Sequence, residues 1–162
     1  MGTLTQTQKA TLRAALIADP AVQTWLNSSQ LQPIVDLYNQ LATPAFWAFR
    51  TDVDPSEIGK VVNYVAVAAM TTANLQRVSD FLRMNTTAFI ARDDIKTFLL
   101  DTFSGALGGQ GQATRDALDL MLRRQVTKAE RLFTTGTGST SAPATLGWVG
   151  PLTTEDISEA IA

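Results

Sequence analysis

Neither cysteine nor histidine occurs in these 162 residues. Without cysteine there are no disulfides and no thiol nucleophiles. Without either residue the common zinc sites are excluded, and the usual general base near neutral pH is missing. A chain free of cysteine suits a reducing compartment. Charge is also sparse: 17% of residues are charged and the net charge is −2. That balance argues against a protein whose main task is gripping nucleic acid. Long apolar runs are absent too. The longest, VVNYVAVAAM at 61–70, is too short for a bilayer span and contains Asn63. The opening MGTLTQTQK lacks the basic-then-apolar pattern of a signal peptide, so a soluble, cytoplasmic protein is expected, with no membrane partner.

An apolar fraction of 45% describes a chain able to bury a modest core. Helix signals dominate. Thr5 with Gln8 makes a capping-box start. Asp19-Pro20 ends that helix and opens another, to which Trp25 and Leu26 contribute. Ser29 is placed to cap a third helix, with Leu31, Ile34, Val35, Tyr38 and Leu41 on one stripe. Asp54-Pro55-Ser56-Glu57 is the strongest helix start, followed at helical spacing by Ile58, Val61, Val62 and Val65. A further helix from Thr71 or Thr72 carries Leu75, Val78, Phe81, Leu82, Phe89 and Ile90. Another follows Arg92-Asp93-Asp94, and Ala113 to Phe133 reads as one or two more. The expected fold is therefore all-α: a bundle of five to seven helices over residues 1–133. Residues 134–162 are expected to form a long extended C-terminal arm ending in a short helix.

Candidate chemistry is thin. The stretch GALGGQGQATR invites a phosphate-loop reading, but no Gly-Lys-Ser/Thr follows and no strand precedes it, so it reads as a helix connector. Asp93 and Asp94 at a helix start are the ordinary macrodipole arrangement, and adjacent helical residues do not face each other. Asn85-Thr86-Thr87 matches a glycosylation sequon without a secretion signal to give it meaning. No catalytic, cofactor-binding or metal-binding residue is assigned, and no enzyme activity is expected.

Two features carry more information. The aromatic cluster Phe46, Trp47 and Phe49 reads either as a plug at a corner between helices or as a patch that meets another subunit. Charge is also uneven. Residues 105–134 hold Arg115, Arg123, Arg124, Lys128 and Arg131 against three carboxylates, a net +2, whereas residues 135–162 hold only Glu155, Asp156 and Glu159, a net −3. The cations suit a helix C-terminus, or they form a face for an acidic neighbour or for DNA passing nearby. A helical nucleic-acid-binding regulator is accordingly the alternative reading.

The stretch RLFTTGTGSTSAPATLGWVGPLTTED at 131–156 is the least regular part of the chain. Ordering backbone costs roughly 1–2 kcal/mol per residue. Fully burying a large apolar side chain returns only roughly 1.5–3 kcal/mol. Leu146, Trp148 and Val149 therefore cannot hold the segment by themselves. An aromatic anchor followed by a small amphipathic foot suits docking on a neighbouring protein.

Three stretches carry a family resemblance: LTQTQKATLRAALIADP at 4–20, LATPAFWAFRTDV at 41–53 and KAERLFTTGTGSTSAPATLGWVGPLTTEDI at 128–157. Together the chain resembles the head-to-tail adaptor (head-completion, or connector) proteins of tailed bacteriophages, most loosely over 58–112. The resemblance implies a structural virion protein forming a ring, usually of twelve copies, between the portal and the tail. It also implies portal and tail (nozzle or tail-completion) proteins as partners, and DNA passing through the channel without sequence recognition. The location implied is the virion neck, and the host cytoplasm during assembly. The tail stretch from Phe133 to Leu152, including Pro143, Leu146, Trp148 and Val149, would be the arm that docks on the portal or an adjacent subunit. Placing Arg115, Arg123, Arg124 and Lys128 on the channel, or against an acidic partner, is a separate expectation drawn from charge.

Overall fold

The computed structural model describes residues 3–83 and 93–162. The chain divides into two compact units, Met1–Ala48 with Gln125–Ala162, and Phe49–Arg124.

In the first unit, helix α1 (Gln6–Ala18) begins on the expected capping box: Gln8 N–H donates to Thr5 Oγ1 at 3.3 Å and Thr5 N–H to Gln8 Oε1 at 2.9 Å. Asp19 closes it and accepts the Ala21 N–H at 3.1 Å, starting a single 3₁₀ turn over Pro20–Val22. Helices α2 (Gln23–Asn27) and α3 (Leu31–Tyr38) follow. Ser29 does not cap α3. It takes a left-handed φ of 57°, and Gln30 precedes the helix without a side-chain cap. Ile34, Val35 and Tyr38 face inward as their spacing predicts, whereas Leu41 lies beyond the helix and is exposed. The later part of this unit contains α9 (Lys128–Arg131) and α10 (Thr154–Ile161). Each starts on a capping box, Thr127 with Glu130 and Thr153 with Asp156.

The second unit contains α4 (Pro55–Val61), α5 (Tyr64–Ala68), α6 (Thr72–Arg83), α7 (Asp93–Thr102) and α8 (Gly109–Met121). A 3₁₀ turn over Gly105–Leu107 precedes α8. Phe49, Ile58, Phe81, Leu99, Phe103 and Leu118 anchor its core. Phe89, Ile90, Arg92 and the Asn85-Thr86-Thr87 sequon lie outside the described residues.

Four short strands correct the all-α expectation. β1 (Trp47–Phe49) pairs with β2 (Arg123–Gln125), and β3 (Thr134–Thr135) pairs antiparallel with β4 (Thr145–Leu146), Thr134 opposite Leu146. The described residues hold ten α-helices rather than five to seven, and the fold is mixed, though mostly helical. Strands of two or three residues carry no readable period, and their hydrogen bonds come from distant residues. Trp47 N–H donates to Gly138 O at 2.8 Å, Ala144 N–H to Trp47 O at 2.9 Å, and Val126 N–H to Phe46 O at 3.0 Å.

The extended C-terminal arm is corrected as well. Residues 134–162 fold back onto their own unit, so the expected boundary between 133 and 134 falls inside it. Three apolar side chains were too few to order this segment, but the chain supplies more. Trp148, Leu152, Ile157 and Ala160 all enter one core with Leu12, Leu16, Ile34 and Phe133. Backbone groups are satisfied at the same time. Asn39 brackets the tail, its Oδ1 accepting the Leu152 N–H at 2.8 Å and its Nδ2 donating to Leu152 O at 3.0 Å. Two glycines permit the close packing. A Cβ on Gly147 would stand 2.6 Å from Phe133 O, and one on Gly138, at φ 67°, would meet the Phe46 ring at 2.2 Å.

Candidate interaction surface

The apolar run at 61–70 does not form one helix. α4 stops at Val61, Val62 is extended, and Asn63 caps α5 by accepting the Val65 N–H at 2.8 Å. Asn63 is itself held from α8, donating its N–H to Thr114 Oγ1 at 3.2 Å and its Nδ2 to Gln110 Oε1 at 2.9 Å. The restart turns Ala66 inward and leaves Tyr64 and Val65 outward, 81% and 67% exposed. Leu75 on α6, expected inward, is 42% exposed.

Tyr64 and Leu75 line an apolar cleft of about 340 Å³ between α4, α5 and α6. Val62, Val67, Val78 and Leu82 help to line it, and among the described residues Arg83 is the one charged lining residue. Lys60, exposed at the end of α4, adds its charge to the field that lowers the Asp54 carboxyl, an effect led by the Ser56 N–H that Asp54 accepts. The sequence reading missed this surface. Its signal was Asn63: a polar residue inside an apolar run can start a new helix and change which side chains face out.

Most of the expected docking residues are not free to dock. Phe133, Trp148 and Leu152 are buried in the first core, and Leu146 packs half-buried on Ala48, Val126 and Ala144. Pro143 is half-buried. Val149 alone among them is well exposed, at 43%, beside a shallow cleft that Pro151, Glu155 and Asp156 also line. In the aromatic cluster Phe49 is buried and Phe46 and Trp47 are half-buried. The Arg131 guanidinium lies 5.0 Å from the Phe46 ring centroid.

The expected basic face is largely answered by the chain's own acceptors. Arg115 meets Asp101 at 3.5 Å and the Leu100 carbonyl, and Arg123 meets Asp119 at 3.3 Å. Arg124 adds to the field that holds the Asp52 carboxyl below the usual range, an effect led by the hydrogen bond from Arg50. In the first unit Lys128 donates to Asp19 at 2.6 Å. These three arginines and Lys128 thus belong to different units.

Among the described residues no group of three acids is gathered as a metal site, and no helix is long and apolar enough to cross a membrane. In comparison with known proteins, no family model, no curated protein and no solved structure matches this chain.

Proposed function

We propose that this chain is a non-enzymatic virion protein. It forms a ring that joins the portal to the tail at the capsid vertex of a tailed bacteriophage and lines the DNA exit channel. The observation that carries the reading is the exposed apolar cleft of the second unit. Tyr64 and Leu75 line it and are exposed, and Val65, next to Tyr64 in α5, is exposed as well; exposed apolar side chains around an apolar cleft are of the kind that mark protein–protein contact. The resemblance of residues 4–20, 41–53 and 128–157 to phage adaptors supplies the partners, portal on one side and tail protein on the other.

Cations engaged by their own carboxylates fit a channel through which DNA moves without sticking. They give the nucleic-acid-binding alternative no comparable support.

The test is incubation of the purified chain with portal rings, followed by electron microscopy and native mass spectrometry. A closed ring of this chain on the portal, with twelve copies expected, supports the proposal. A chain that neither associates with itself nor binds portal overturns it. Steep, salt-dependent binding to short duplex DNA would favour the alternative instead.

A further inference from the structure

We infer that the α4–α6 cleft is filled by a second copy of this chain, which presents the edge running from Val149 to Asp156 of its first unit. The inference rests on the adaptor reading above and names the occupant of the same surface.

Charge decides between the possible arrangements. Among the described residues the cleft lining is apolar apart from Ser79 and Arg83, and it holds no carboxylate. Two copies joined cleft to cleft would set Arg83 against its own equivalent, and like-charge juxtaposition is disfavoured. The Val149 edge has the opposite character. Val149 and Pro151 are exposed apolar residues beside Glu155 and Asp156, and no cation occurs anywhere in residues 135–162. Asp156 also serves its own helix as the capping-box acid, which leaves Glu155, fully on the surface, as the counter-charge for Arg83.

An apolar cleft lined by Arg83 and an apolar ridge bordered by Glu155 and Asp156 are complementary, and they are different surfaces of one chain. Contact between them is therefore head-to-tail. Such a contact generates a ring when the rotation closes and a filament when it does not. Tyr64 and Val65 would lie against Val149 and Pro151, with the Arg83–Glu155 pair setting the register.

The absence of cysteine gives a clean test. Val65→Cys and Val149→Cys are made in separate full-length chains, each carrying a single thiol at an exposed position, and mixed under oxidising conditions. The expected product is a disulfide-linked dimer containing one of each, about tenfold over either self-linked dimer. Arg83→Glu in the Val65→Cys chain should abolish it, and Glu155→Arg in the other chain should restore it. Preferential Val65–Val65 linkage overturns the head-to-tail arrangement. If the chain assembles on portal rings but gives no mixed dimer above a Gln32→Cys control, the inference fails and the adaptor reading stands. If it neither assembles nor cross-links, both fail.

Discussion

Phe133 and Trp148 meet edge to face, with ring centroids 5.5 Å apart and an interplanar angle of 70°. Fourteen residues separate them, and the whole Gly/Ser/Thr stretch lies between. This contact, with Gly147 N–H donating to Phe133 O at 2.8 Å, closes the tail back onto the helix that precedes it. Aromatic pairs in this geometry contribute about 0.5–1.5 kcal/mol beyond the area they bury.

Trp148→Ala should therefore destabilise the first unit by about 3–5 kcal/mol, as large-to-small changes at buried aromatics do. Urea unfolding followed by far-UV circular dichroism measures it. A loss within error of that for the exposed control Val149→Ala would mean that Trp148 is not a core residue.

Gly138→Ala should cost more than Gly108→Ala. Both glycines have positive φ, 67° and 76°, so each substitution carries backbone strain of about 1–3 kcal/mol. Around Gly108 a Cβ meets open space, whereas at Gly138 it strikes the Phe46 ring. Thermal melts of the two variants provide the comparison. Equal shifts in midpoint would show that the hairpin does not rest on Phe46.

Stability should fall at both ends of the pH scale through one polar cluster. Asp19 Oδ2 accepts from Lys128 Nζ at 2.6 Å and from the Tyr38 hydroxyl at 3.2 Å. The Lys128 hydrogen bond leads in holding the Asp19 carboxyl below its ordinary value, against an opposing push from burial. A depressed carboxyl contributes stability that is present above its unfolded value, about 3.9, and lost as pH falls through the lower folded value. Burial, then the Asp19 charge, drives the Tyr38 hydroxyl well above its usual range. A raised group contributes stability present below its unfolded value, about 10, and lost as pH rises through the folded one. Lys128→Met should flatten the acid limb of urea midpoint against pH, and Tyr38→Phe the alkaline limb. An acid limb unchanged in Lys128→Met would remove Asp19 as its source.

What the sequence by itself determined is the local part of this protein. Thr5 with Gln8, Asp19 before Pro20 and Asp54 before Pro55 all cap helices as read, because a cap needs only donors within three or four residues. The inward stripe of α3 was legible for the same reason.

Tertiary structure decided the rest. β1 exists because it pairs with β2, and its Trp47 also bonds Gly138 and Ala144 some ninety residues away; no pattern within three residues announces either. Glycine, serine and threonine at 134–147 read as freedom, yet Gly138 and Gly147 are there to let Phe46 and the Phe133 carbonyl approach. Val65 reads as core, and Tyr64 precedes it in the same apolar run. One hydrogen bond from Val65 N–H to Asn63, with Asn63 pinned by Thr114 and Gln110, rotates them into water. Composition could say that these side chains want burial. Only the fold decides that they are left without it, and so become the surface on which function is proposed.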